Sequence, residues 1–171
     1  MTPSTQNAQA ATGNIHIRPA TTADLPTLSI FEQGVIAAER PMDPTIREGS
    51  INYYNLPAMI ANPDVHLLVA EQDGALIGSG YARIDPADRI YLKYTHLAYL
   101  GFMYVDPAHR GKGVNQLIIA ALSQWARSRN LTELRLEVYY TNESAIRAYE
   151  KSGFIRHLIT MRAPVPPQQA G

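Results

Sequence analysis

Near residue 113 the chain changes hydrophobic period, and this switch limits the folds open to it more than any other feature. Residues 91–105 are aromatic, apolar and in part β-branched, which reads as a strand, and Asp106-Pro107 ends it. From Gly113 onward Val114, Leu117, Ile118, Ala121, Leu122 and Trp125 recur at three- and four-residue intervals, so a helix runs to about Arg129. Alternation then returns, Leu134, Leu136 and Val138 interleaving with Arg135, Glu137 and Tyr139. A helix over 142–152, Gly153 and a strand-like stretch over 154–161 complete the order.

Upstream, residues 15–18 alternate apolar and polar until Pro19 stops them. Thr22 and Asp24 then cap a helix whose apolar face is Leu25, Leu28, Phe31, Val35 and Ile36, with Pro26 in its first turn, where a missing N–H costs least. Residues 39–44 end that helix and open a loop, and residues 56–61 make a second short helix closed by Asn62-Pro63. Strands over 65–71 and 75–84 flank Asp73-Gly74, a two-residue hairpin signal. Strand, helices, antiparallel strands and then strand–helix–strand–helix–strand make a mixed α/β layer architecture. At 171 residues the chain is expected to be one domain, over 15–163, between an unstructured lead-in, 1–14, and a frayed tail, 164–171.

Fifteen Lys and Arg balance fifteen Asp and Glu, which argues against nucleic acid or an anionic membrane as a partner held by bulk charge. With no Cys, disulfides, thiolate nucleophiles and Cys-based metal sites are excluded. The five His match no metal-ligand spacing, so no metal is expected. The longest apolar candidate, 97–105, is interrupted by Gly101 and falls short of the roughly 18 residues a membrane helix needs. Residues 1–14 lack the basic and apolar regions of a signal peptide, and a cytoplasmic location is the expectation.

The segment from Tyr104 to Asn115 joins a strand end to a helix start, where chemistry can be built from backbone alone. Gly111 and Gly113 permit a tight turn and close approach, successive N–H groups can converge, and the helix dipole favours an anion. Arg110 and Lys112 add positive charge. A phosphate or pyrophosphate cradle follows; the alternative is a glycine-rich turn with two solvated basic side chains. A Walker A loop is ruled out because Gly113, not Ser or Thr, follows Lys112, and the three spaced glycines of a dinucleotide-binding unit are absent.

Arg110, Gly113 and Asn115 fall on a pattern (Q or R)-x-x-G-x-(G or A), with Asn115 departing from its small residue. Residues 142–154, reading N-E-S-A-I-R-A-Y-E-K-S-G-F, meet a second pattern, N-x-x-A-x-x-x-Y-E-K-x-G-F. In this order the two motifs resemble those of the GNAT superfamily of N-acetyltransferases, and with the element order the likeness spans about residues 15–161. The resemblance implies a mixed, mostly antiparallel sheet flanked by helices, with strands four and five splayed to admit the pantetheine of acetyl-CoA. It implies that the backbone N–H groups of Arg110, Gly111, Lys112, Gly113, Val114 and Asn115 hold the pyrophosphate. It further implies that the stretch Met103, Tyr104, Val105 lines the pantetheine, the Met103 N–H stabilising the oxyanion, and that Asn142 contacts the pantetheine besides capping its helix. Gly101 independently reads as a bulge, a close backbone approach or a packing glycine.

By the same resemblance Tyr149 protonates the departing thiolate; a phenol near pKa 10 is protonated at neutral pH and can donate unperturbed. The general base is open among Glu39, Glu137 and His96, with an enzyme that has no dedicated base as the further alternative, because the strand-four position that often carries a carboxylate is Tyr99. Each has a structural alternative: an exposed helix end for Glu39, a sheet-face ion pair with Arg135 or another base for Glu137, a half-buried histidine for His96. The loop with Glu39, Arg40, Asp43 and Arg47 is the implied acceptor side, or simply a solvated mixed-charge loop. The expectation is an acetyl-CoA-dependent transfer to a primary amine of a small molecule or peptide, without metal. A homodimer is left open. The rival is a non-catalytic acyl-CoA-binding or sensing module of the same fold.

Overall fold

Asp73 and Gly74 both take left-handed backbone angles, φ 53° and 78°, as a two-residue hairpin requires, and they lock β2 (Val65–Gln72) against β3 (Ala75–Pro86). In the computed structural model residues 14–166 are described, in two compact units, one ending at Glu137 and one beginning at Val138. The expected lead-in, 1–14, lies outside the described residues except Asn14, and so do 167–171 of the expected tail.

The first unit is built on a five-stranded sheet ordered β1-β2-β3-β4-β5, with β1 at His16–Pro19, β4 at His96–Val105 and β5 at Leu134–Arg135. All neighbours are antiparallel except β4 and β5. One face buries Leu67, Val69, Tyr81 and Phe102 beneath Leu28 and Phe31 of α1 (Leu25–Glu39) and Leu56 of α2 (Leu56–Ala61). Against the other lies α3 (Val114–Ser128), whose stripe Val114, Ile118, Ile119, Leu122 and Ala126 is fully buried. The period-two alternation of β3 divides the two: Tyr81 packs in the α1/α2 cluster, while Gly78 and Gly80 make room for Val114 and Ile118.

Arg18 staples three pieces together, donating from both terminal nitrogens to Asp24 at 2.8 and 2.9 Å and from Nε to Glu71 at 2.9 Å. That pairing, above all, holds the Asp24 carboxyl down to about 2 although burial opposes it. The helix entry is capped one residue earlier than the spacing of Thr22 suggests: the Thr21 N–H donates to Asp24 at 2.7 Å across a 3-10 turn, Thr22–Asp24.

Two strand expectations fail in the same way. Residues 134–139 alternate, but only Leu134 and Arg135 enter a ladder. Residues 154–161 form no strand, and Ile155, Leu158, Ile159 and Met161 stand exposed. Alternation says which way side chains would face, not whether a partner edge is there to pair with. Likewise 91–95 are a turn, and β4 starts at His96. In the second unit α4 (Glu143–Lys151) starts on Asn142, whose side chain accepts from the Ala145 N–H at 3.2 Å.

Gly34 of α1 faces the Tyr104 ring so closely that a Cβ there would stand 2.6 Å from Cε2, and the ring is pinned by stacking on Phe31 at 4.5 Å. In an open helix Gly→Ala stabilises by about 1 kcal/mol. Here the overpacking cost of roughly 1–3 kcal/mol offsets or exceeds that gain. Gly34→Ala is therefore expected to lower the urea midpoint, and the same change in a Tyr104→Leu background to raise it.

Candidate functional site

The β4–β5 ladder holds only Ala98↔Leu134 and Tyr99↔Arg135, yet β4 runs on to Val105. Along 100–105 it has no ladder partner on that side among the described residues, because β5 ends at Arg135. On its other edge β4 carries an extra residue. Ser79 faces Tyr104 and Tyr81 faces Gly101, which sets Phe102 and Met103 opposite Gly80 alone. Phe102 takes φ 53° there, and the Ser79 hydroxyl donates to its carbonyl at 3.1 Å. A bulge leaves a residue outside the ladder and bends the strand. Gly101 belongs to it by close approach, since a Cβ would meet the Tyr81 hydroxyl oxygen at 2.6 Å.

Beyond Val105 the Asp106 N–H is tied back to Ile77 at 2.9 Å, and Asp106 accepts from the Ala108 N–H at 2.9 Å to start the 3-10 turn Pro107–His109. The neighbouring His109, first among the causes, holds the Asp106 carboxyl below its ordinary range. Then Gly111 and Gly113 take φ 75° and 81°, and α3 begins. At Gly111 a Cβ would meet nothing within 4 Å, so its requirement is backbone conformation, not space. Gly113 as N-cap offers no side chain, so the first-turn N–H groups of Val114, Asn115 and Gln116 receive no side-chain cap. Arg110 folds back, Nε donating to the Val105 carbonyl at 3.2 Å, while Lys112 is exposed. A cleft of about 480 Å³ opens on the loop, lined by Asn14, Ile15, Lys112, Gly113, Gln116 and Leu117. Lys112 and the start of α3 border this cleft, and the N-terminus of a helix carries partial positive charge.

On the α1/α2 face the bulge is surrounded by phenols. Tyr54 lies 4.8 Å from Phe102 and 5.9 Å from Tyr81 between ring centroids. Burial raises the Tyr54 and Tyr81 hydroxyls above their ordinary value and pushes Tyr99 up to about 12, the Glu137 charge adding to the last. Arg83, doubly bonded to Asp85 at 2.6 and 2.8 Å, lies 5.5 Å over the Tyr99 ring. At the end of α1 burial raises the Glu39 carboxyl; the Tyr53 side chain opposes the shift, and Asp43 adds to it.

Of the base candidates, then, Glu39 is half-buried among tyrosines, Glu137 is exposed beside Tyr99, and His96 is exposed with its Nδ1 3.1 Å from the Thr95 hydroxyl. The expected alternative of a Glu137–Arg135 pair does not form; Arg135 pairs with Asp88 at 3.3 Å and bonds Tyr94 at 2.8 Å. Met103, Tyr104 and Val105 are half-buried on the open stretch of β4. Asn142 and Tyr149 belong to the second unit, Tyr149 half-buried on α4 with its ring edge-on to Phe154 at 5.9 Å. Sequence reasoning missed Tyr53, Tyr54, Tyr81 and Glu32. The signal for Glu32 is its place within the apolar stripe of α1, four residues after Leu28 and four before Ile36.

Among the described residues no group of three or more His, Asp or Glu could hold a metal ion, and no helix is long and apolar enough to cross a membrane. A family model described as acetyltransferase (GNAT) family matches residues 35–154. The chain is 31% identical over 100 residues to an aminoglycoside N(6')-acetyltransferase type 1 of Klebsiella aerogenes, covering 58% of this chain and 64% of that protein. It is 30% identical over 103 residues to a mycothiol acetyltransferase of Thermomonospora curvata, covering 59% of this chain and 31% of that one. The match thus spans between about a third and two thirds of these curated relatives. A crystal structure of a predicted acetyltransferase with acetyl-CoA from Clostridium acetobutylicum superposes with a TM-score of 0.70 over 88% of this chain and 96% of that chain, at 19% identity, a likeness of fold. With a family model matching most of its length and a five-stranded mixed sheet beneath it, the chain belongs to the acetyltransferase (GNAT) family.

Proposed function

We propose that this protein transfers the acetyl group of acetyl-CoA to a primary amine of a small molecule, by direct attack within a ternary complex. The observation that carries the proposal is the entrance to α3: two left-handed glycines deliver uncapped N–H groups to the end of a β4 whose edge is open past Tyr99. Acetyl-CoA supplies the activated acyl group. The N–H groups of residues 110–115, with Arg110 and Lys112, bind its pyrophosphate. Met103, Tyr104 and Val105 line the pantetheine, and the Met103 N–H, at the bulge, meets the charge developing on the thioester oxygen. By the resemblance of the motif at 142–154, Asn142 contacts the pantetheine.

In the reaction the amine nitrogen bonds to the acyl carbon and the carbon–sulfur bond breaks. Tyr149 gives its phenolic proton to the thiolate. Glu39 takes the proton from the amine; burial and Asp43 make it a stronger base than an ordinary glutamate. Glu137, exposed and beside Tyr99, is the less suited carboxylate. Relatives that act on aminoglycoside and thialysine amines support a small-molecule acceptor.

Acetyl-CoA at 100 times its dissociation constant should stabilise the protein by about 2.7 kcal/mol, and ATP should not. The double variant Arg110→Ala, Gly113→Val is expected to weaken acetyl-CoA binding by roughly 10-fold or more, the cost of charge-assisted hydrogen bonds. Full-strength binding in that variant contradicts the cradle.

Tyr149→Phe should lower turnover on a responsive amine by about 10²-fold or more, the usual contribution of a general acid, with acetyl-CoA affinity kept. Undiminished turnover removes the role. Binding without turnover across a broad amine panel would mark a sensing module.

The base must be ionised, so kcat/KM should fall as pH drops through the raised Glu39 pKa, placing the acidic limb above the ordinary glutamate range. Glu39→Gln should abolish that limb. Linkage gives an independent sign: a carboxyl raised by folding loses stability as pH rises through its folded pKa, so the Gln variant should melt higher at neutral pH.

A further inference from the structure

Glu32 takes no part in the reaction proposed above, yet it is 1% exposed, the most deeply buried charged side chain among the described residues. Its carboxylate accepts three hydrogen bonds from one short stretch of irregular backbone: from Asn52 Nδ2 at 2.8 Å, the Tyr53 N–H at 2.6 Å and the Tyr54 N–H at 2.8 Å. Charge-assisted bonds of this kind are roughly twice as strong as neutral ones. Satisfying two backbone N–H groups explains why some acceptor is present. It does not explain what the held residues then do.

Glu32 and Glu39 are seven residues apart, two turns of α1, and so share one face of that helix. Tyr53 is consequently held at its N–H by Glu32, while its side chain bears on the Glu39 carboxyl and lowers its pKa. Tyr54, leaving the same grip, puts its ring against Phe102 of the bulge and edge-on to Tyr81. We propose that Glu32 is a positioning residue: its buried carboxylate clamps residues 52–54 so that the Tyr54 ring stays on the β4 bulge and the Tyr53 side chain stays beside Glu39. The importance of Glu39 rests on the acetyl-transfer reading; the clamp itself does not.

The groups facing Glu39 are the Tyr53 side chain, the Asp43 carboxylate and the Tyr54 phenol. A carbon-detected NMR titration of the Glu39 carboxyl in the full chain therefore reports the clamp without any turnover. Glu32→Met removes the carboxylate at similar volume. Loss of a negative charge alone would draw the Glu39 pKa down, whereas displacement of the Tyr53 side chain, which lowers it, pushes it up, so the sign separates electrostatics from positioning.

An upward shift is expected in Glu32→Met and in Glu32→Asp, which keeps the charge and shortens the reach, and which decides the matter if the Met variant does not fold. Tyr53→Phe should shift Glu39 upward too, and adding Glu32→Asp to it should move it no further. Glu32→Gln, whose amide oxygen still accepts from both N–H groups, should stay near wild type or slightly below. An unmoved or lowered Glu39 in folded Glu32→Asp, or additive shifts in the double variant, overturns the clamp. Absence of turnover with every amine would sink the acetyl-transfer reading and leave this measurement standing.

Discussion

Where Phe102 and Met103 stand opposite Gly80 alone, β4 has to bend, and the surrounding packing holds it bent. Three glycines ring the bulge, and a Cβ on each would strike a different neighbour: the Tyr104 carbonyl at Gly78, the Met103 sulfur at Gly80, the Tyr81 ring at Gly101. A left-handed residue with a side chain costs about 1–3 kcal/mol. Burying the Phe102 ring, 2% exposed, is worth roughly 1.5–3 kcal/mol, so the bulge can be held by its own side chain before Tyr54 adds to it.

The bend also separates two tasks that a straight strand would hold together. One face of β4 continues into the 3-10 turn and the glycine loop, where fixed backbone donors at the start of α3 create positive potential without titratable groups. The opposite face meets α1, α2 and the irregular loop between them, where Tyr54, Tyr81 and Tyr99 present hydroxyls that stay protonated at neutral pH. Neutral, hydrogen-bonding and aromatic walls select by shape and polarity more than by charge.

Elements that carry their own boundary signals are legible in the sequence. Asp73-Gly74 announces the hairpin, Asn142 and Gly153 bracket α4, and the three-four spacing from Val114 to Trp125 outlines α3. The glycine loop is legible for the same reason, because Gly111 and Gly113 are there for a local conformation. What depends on distant partners is not. Whether 134–139 and 154–161 pair is decided by contacts distant in sequence, and alternation carries no information on that. The phenol cluster joins residues 53, 54, 81 and 99, far apart in sequence, with no periodic signature. Glu32 is the intermediate case: a charge inside an apolar stripe signals a buried partner but not which one.

The proposed proton transfer draws its plausibility from burial acting on both partners at once. A primary alkylamine with an ordinary pKa of about 10.4 and an ordinary glutamate near 4.3 are too far apart to exchange a proton readily in water. Desolvation disfavours the charged form of each, lowering the ammonium and raising the carboxyl. Glu39 already shows its half of this effect, raised by burial and by Asp43 despite the opposing Tyr53 side chain. Desolvation of an amine bound among Tyr54, Tyr81 and Tyr99, whose hydroxyls stay neutral, would supply the other half. The two affinities converge without a special base, which is how a site with Tyr99 in place of a strand-borne carboxylate can still deliver a neutral amine.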